Sequence, residues 1–303
     1  MTLAPAPYYT GNAFTTSPHG GGQAAIILLP ASDPRLQSEE WKAAVARDFN
    51  LPMIAIHAPL PPSAEGTPRY SVEWWLPDGT EAPLCGHASL VAAHVLLPHH
   101  EGASALEFET KTRGVLRATR EGDGGEIGVA LPLQAAATPS ASEKARLAQI
   151  IAGAAGLEPD AVVELTTWQD GGAVTAEVGP GVDLASLAVD TEALRAIPHH
   201  AIITQLLGKG ERGVKVQSRV FIPNWGVPED PVCGSGHSAI TAHYLLGPAA
   251  ARVGTLVPDA AGATLDAKQL SERGGALRTS LDGKSVRLVG RAWRTGKGEL
   301  EVL

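Results

Sequence analysis

Pro83-Leu84-Cys85-Gly86-His87-Ala88-Ser89-Leu90-Val91-Ala92-Ala93-His94-Val95-Leu96-Leu97 in one half of this chain is matched in the other half by a second passage. The second copy is Pro231-Val232-Cys233-Gly234-Ser235-Gly236-His237-Ser238-Ala239-Ile240-Thr241-Ala242-His243-Tyr244-Leu245-Leu246. Upstream of each lies a further matched turn, Leu76-Pro77-Asp78-Gly79 and Ile222-Pro223-Asn224-Trp225-Gly226. Each copy holds one of the only 2 cysteines among 303 residues, a placement that chance rarely produces. The reading is a duplication: two related halves facing each other, each presenting one thiol at the start of a helix.

Around these helices the chain reads mainly as strands. Ala24–Leu29, Tyr70–Leu76, Ala105–Thr110, Glu126–Leu131, Val214–Phe221 and Val286–Trp293 are β-rich or alternating, and Gly, Asp and Pro clusters separate them. Four helices stand out: Gly86–Leu97, Ser235–Leu246, Ser38–Asp48, and one opened by the capping box Ser140-Ala141-Ser142-Glu143 and running toward Ala155. The small, proline-bearing stretch from Leu133 to Ser140 places a domain boundary, so that residues 1–133 form one domain and 134–303 the other, with an exchange between the last strands of the first and the C-terminal end left open.

The bulk numbers exclude several functions. With 44% hydrophobic and 18% charged residues the chain is an ordinary globular one, long enough for two cores. A net charge of -8 without a Lys/Arg run argues against nucleic acid as a partner. Apolar runs such as Ala24–Pro30 fall far short of the roughly 20 residues that cross a bilayer, so no membrane is expected. The first residues show no basic segment ahead of an apolar stretch, and two cysteines make no disulfide framework; the expectation is a cytoplasmic protein with free thiols.

The chemistry follows from what a cysteine does at a helix start. The first N–H groups of a helix lack internal partners and, with the macrodipole, favour negative charge, so a thiol there is expected to have a lowered pKa. The same N–H groups hold carboxylates, and Gly86, Gly234 and Gly236 let a ligand approach the backbone. One thiolate taking an α-proton and one thiol returning a proton describe a racemase or epimerase that needs no cofactor. His87 and His237 stand beside the thiols as candidates for substrate binding or proton transfer. Glu229-Asp230 reads either as an acid/base pair or as a cap of the following helix. His99-His100 and His199-His200 lack the spacing of a zinc site, and no metal is expected.

Several motifs in order resemble the PhzF-like isomerase family: Asn12-Ala13-Phe14-Thr15, Gly20-Gly21, Asn50-Leu51, Pro83-Leu84-Cys85-Gly86-His87-Ala88, Pro228-Glu229-Asp230-Pro231-Val232-Cys233-Gly234-Ser235-Gly236-His237, and Leu270-Ser271-Glu272-Arg273-Gly274-Gly275. The resemblance implies the diaminopimelate epimerase-like fold, an α+β architecture of two similar domains. In it each domain is a strongly curved mixed sheet wrapped around a central helix, with the site in the cleft between domains. It also implies a homodimer, no cofactor, and a small carboxylic acid as substrate. Carried over residue by residue, His87, Asp230 and Ser235 match the family's polar site positions, Gly86 and Gly234 its helix-start glycines, and Asn12 its first motif. Gly236 completes the expected substrate-binding set.

One position departs from the pattern. The family's main acid/base residue is a Glu in an Asn-Leu-Ser-Glu segment; here the stretch is Asn50-Leu51-Pro52-Met53, and methionine moves no proton. Cys85 and Cys233, by contrast, occupy positions that resemble those of the two catalytic thiols of diaminopimelate epimerase and proline racemase. The reading therefore favours a two-thiol racemase or epimerase with Cys85, Cys233 and Asp230 as catalytic residues. The alternatives are a one-base isomerase that migrates a double bond or eliminates, and a non-catalytic binding or scaffold protein marked by Met53.

Overall fold

The alternation of strand pairings shows the duplication most directly. A computed structural model of the chain describes residues 3–122, 124–169 and 172–301. Its residues fall into two compact units, Met1–Ala130 with Val289–Leu303, and Leu131–Leu288.

The first unit contains β1 (Ala6–Ala13), β2 (Gly22–Leu28), β3 (Ile54–Leu60), β4 (Arg69–Trp75), the short β5 (Glu81–Ala82), β6 (Ala105–Thr110), β7 (Val115–Glu121) and most of β8 (Glu126–Pro132). The second contains β9 (Ala136–Ala137), β10 (Val162–Trp168), β11 (Val174–Val178), β12 (Ala201–Gly210), β13 (Gly213–Phe221), β14 (Leu265–Gln269), β15 (Gly275–Asp282) and most of β16 (Ser285–Gly290), and β17 (Ala292–Leu300) returns to the first. In the first unit the ladders run antiparallel β1–β2, parallel β2–β3, antiparallel β3–β4, parallel β4–β6 and antiparallel β6–β7. In the second the same sequence recurs as β10–β11, β11–β12, β12–β13, β13–β14 and β14–β15. Parallel neighbours need a crossover. The helix that follows each cysteine lies in one: α2 (Gly86–Leu96) between β4 and β6, and α4 (Gly234–Leu245) between β13 and β14. Both units thus have the mixed, helix-centred α+β architecture expected from the sequence.

The two crossover helices are buried almost all round. In α2 every residue except His94 is buried, and in α4 every residue except Ser235. A helix apolar on all sides is a core element, so the sheet of each unit wraps around it. α2 packs on β1, β2, β3, β7 and β17. The approach is close at Gly11, where an added Cβ would meet Val91 Cγ1 and Trp293 O, both at 2.7 Å. The outer face of β2 is covered too. Ala25 and Ile27 pack with Val45 and Ala46 of α1 (Glu39–Phe49), which leaves the alternate residues Ala24 and Ile26 for the side of α2. Burial on both faces is why this strand reads as an unbroken apolar run.

In the second unit the covering helix is α3 (Ala141–Ala155), whose Leu147 and Ile151 pack with Leu165, Ala176 and Ile203. Both covering helices start on a serine whose hydroxyl accepts a backbone N–H: Ser38 from Trp41 at 3.2 Å, and Ser140 from Glu143 at 3.3 Å. A fifth, short helix, α5 (Ala250–Gly254), lies beyond the sequence reading.

The C-terminal strand lies with the first unit, an exchange that the sequence reading left open, because β17 pairs antiparallel with β1 from Ala6–Leu300 to Ala13–Ala292. One feature differs from the sequence reading. The single strand expected over Val286–Trp293 is divided at Arg291 between β16 and β17. No helix among the described residues is long and apolar enough to cross a membrane.

Candidate functional site

Each cysteine is the N-cap of its buried helix, with the extended backbone that such a position requires. Gly86 and Gly234 therefore occupy the first helical position, where the N–H has no carbonyl one turn back. The first intrahelical bonds are Ser89 N–H to Cys85 O at 3.2 Å and His237 N–H to Cys233 O at 3.0 Å. The side chain four residues after the cysteine bonds the same carbonyl in both: Ser89 Oγ at 2.7 Å, and His237 Nδ1 at 2.7 Å. The side chain two residues after it meets the sulfur in both: His87 in α2, Ser235 in α4. Counted from the cysteine, the counterpart of His87 is therefore Ser235. His237, expected beside the thiol, is fully buried and turned away from it, with Nε2 3.4 Å from Ser218 Oγ. Burial lowers its pKa to about 4, against a weaker opposing effect of the Cys233 carbonyl, so it is a neutral core residue.

At the first thiol, Cys85 Sγ lies 3.3 Å from His87 Nδ1, and the sulfur makes no bond to the helix backbone. His87 Nε2 is 3.1 Å from the carbonyl oxygen of Gln23. A carbonyl only accepts, which assigns the proton of a neutral His87 to Nε2 and leaves Nδ1 as an acceptor facing the thiol. Asn12, in the same unit, donates from Nδ2 to Pro18 O at 2.6 Å, which ties the end of β1 to the loop before β2. Met53 is buried immediately ahead of β3, with its carbonyl accepting from Ala25 N–H at 3.1 Å.

The second thiol is held differently. Cys233 Sγ accepts from Gly236 N–H at 3.3 Å and lies 3.4 Å from Ser235 Oγ, which is itself 3.2 Å from His200 Nε2. An added Cβ at Gly236 would stand 3.2 Å from the sulfur, so only glycine leaves this helix start uncrowded. Asp230 accepts Val232 N–H on Oδ1 at 3.0 Å, and its neighbour Glu229 is engaged by Arg219 at 2.8 and 2.7 Å. Of the two acids, Asp230 is the one that acts on the thiol. Gln269, which the sequence reading passed over, is 1% exposed; its Oε1 accepts from Cys233 N–H at 2.8 Å and its amide donates to Asp230 O.

Both thiols are buried, Cys85 at 6% and Cys233 at 3% exposure. For Cys233 this overturns the expectation of a lowered pKa. Burial first, then the charge of Asp230, push its thiol well above the usual range, and the hydrogen bonds from Ser235 and Gly236 only partly offset them.

The sequence family described as "Phenazine biosynthesis-like protein" matches residues 11–298. An "Uncharacterized isomerase" of Halalkalibacterium halodurans is 31% identical, with 97% of this chain and 98% of that protein covered. A "Phenazine biosynthesis-like domain-containing protein" of Bos taurus is likewise 31% identical, with 91% of each covered. Among solved structures, a PhzF family protein of Enterococcus faecalis superposes with a TM-score of 0.77 at 24% identity, covering 99% of this chain and 100% of its own.

Proposed function

This chain belongs to the phenazine biosynthesis-like family, and we propose that it is a cofactor-independent isomerase that moves a proton at the carbon next to a carboxylate, with Cys85 and Cys233 as its acid/base thiols. The observation that carries this reading is the inequality of the two thiols. Cys85 faces an imidazole nitrogen able to accept its proton, whereas Cys233 is kept protonated by burial and by Asp230. In a two-sided proton exchange one group takes the α-proton and another returns a proton. In reverse the roles exchange, which racemisation or epimerisation requires. Backbone N–H groups at Gly86 and Gly234 suit a carboxylate and the carbanion formed beside it. Met53 supplies neither acid nor base, so the proton transfers fall to the thiols, and Ser235 and Asp230 act on one of them.

In a screen of small amino, hydroxy and unsaturated acids in deuterium oxide, a substrate should take up deuterium at its α-carbon. Cys85→Ser and Cys233→Ser should each abolish turnover; wild-type turnover in either variant would reject the two-thiol mechanism. One observation favours a second reading, a one-base shift: the surroundings that keep Cys233 protonated also oppose its serving as a base. In that case Cys233→Ser remains active and Cys85→Ser does not.

A further inference from the structure

His200 belongs to a dipeptide that sequence spacing dismissed as a metal ligand, and it lies far along the chain from Cys233. It immediately precedes β12 and is 3% exposed. Its ring stacks on Trp168, with centroids 4.8 Å apart and planes at 32°, and meets Trp225 edge-on at 5.8 Å and 70°. Trp225, 37% exposed, is thus a wall for this histidine and not an ordinary core residue. On one side His200 Nε2 lies 3.2 Å from Ser235 Oγ. On the other, Nδ1 is buried with no hydrogen-bond partner among the described residues.

That orphan nitrogen decides the tautomer. A buried N–H without an acceptor is rarer and costlier than a bare acceptor lone pair. The proton of a neutral His200 therefore sits on Nε2, and burial, aided by neighbouring His199, lowers the pKa to about 4, so the ring is neutral near pH 7. Nε2–H then donates to Ser235 Oγ. The hydroxyl hydrogen of Ser235 must point elsewhere, and the sulfur of Cys233, 3.4 Å away, is the acceptor in reach.

We propose that His200 is a positioning residue for the second thiol: clamped by Trp168 and Trp225, it holds the Ser235 hydroxyl as a donor to Cys233, so that the sulfur can shed its proton during the reaction. With Gly236 N–H this provides two donors to a thiolate whose formation Asp230 opposes. The role in turnover rests on the acid/base reading of Cys233; the hydrogen-bond chain itself does not.

The test is a carbon-13 NMR titration of protein labelled at cysteine Cβ, which follows each thiol separately without reagent or substrate. It is run in the native chain and in Asp230→Asn, where the Cys233 midpoint falls to lower pH. His200→Phe keeps an aromatic ring but removes the donor; it should raise the Cys233 midpoint by about one pH unit, roughly a tenfold loss of thiolate at fixed pH, and leave Cys85 unmoved. His200→Gln, which restores an N–H donor, should return the midpoint toward the native value, and Ser235→Ala should reproduce the shift of His200→Phe in a chain whose histidine is intact. An unmoved Cys233 midpoint in both His200→Phe and Ser235→Ala overturns the proposal, as does an equal shift of Cys85. If the titration behaves as expected while Cys233→Ser retains turnover, the hydrogen-bond chain stands and the two-thiol reading falls.

Discussion

The start of α2 and the start of α4 are the same device built twice, and they differ in what touches the sulfur. In α2 the residue two places after the cysteine is a histidine, which meets the thiol directly and is oriented by Gln23 O. In α4 it is a serine, and the imidazole stands one bond further back, at His200, supplied by the residue just ahead of β12 and not by the helix. An acidic residue acts on the second thiol: Asp230 raises its pKa. The comparison teaches that a duplicated backbone can hold two thiols in equivalent places while different side chains touch each sulfur. Helix-start geometry and burial are common to both; the side chains that touch the sulfur are not.

The largest test of this asymmetry is at His87. His87→Phe removes the proton acceptor of Cys85 and should lower kcat by about 10²- to 10⁴-fold with the fold retained by circular dichroism. A loss as large from Ser235→Ala would break the comparison, since Ser235 is a donor and not a base.

Next comes the cost of the buried imidazoles. His200 and His237 have folded-state values of about 4 against an ordinary 6.5. A lowered histidine value means the unfolded chain binds the proton more tightly, so the stability each contributes is present above pH 6.5 and lost as pH falls through 4. Each shift corresponds to about 3 kcal/mol. Denaturant unfolding followed from pH 7 to pH 4 should show this loss, and His237→Gln should reduce the slope by close to one proton. An unchanged slope would mean that His237 is not buried as a neutral ring.

Asp230→Asn sharpens the comparison on the second thiol alone. Removing the charge should lower the Cys233 midpoint by roughly one pH unit while Cys85 stays in place, as read by the same cysteine titration. Burial, the larger cause, remains, so the midpoint stays above that of a free thiol. The smallest effect is expected at Ser89, whose hydroxyl bonds Cys85 O as His237 bonds Cys233 O. Because Ser89 N–H still serves that carbonyl, Ser89→Ala should cost about 1 kcal/mol in chemical denaturation. A loss above about 3 kcal/mol would show that the hydroxyl does more than support the cap.

Much of the fold was legible where local physics decides it. The serine caps at Ser38 and Ser140 and the helices after Cys85 and Cys233 are short-range signals, as is the apolar run before Leu29. Strand β1 was not legible, because Pro7, Gly11 and Asn12 break the β pattern. It forms because β2 and β17 pair with it on both sides. At the site, the residues next to the cysteines stood out through their motifs, while the match of His87 with His237 misled, since His87 stands two places after its cysteine and His237 four. His200 and Gln269 were missed because nothing near them in the chain marks them; only the sheet brings them to Cys233.

By itself, the order of residues determined that there are two related halves, that each begins a buried helix with a cysteine, and that the chain carries the family's motifs without its glutamate. Those are matters of repetition and of backbone groups within one turn of each other. The tertiary structure alone decided which histidine serves which thiol, that the last strand completes the first unit, and that Cys233 holds its proton. Such properties depend on desolvation and on contacts between distant segments, and no local pattern records either.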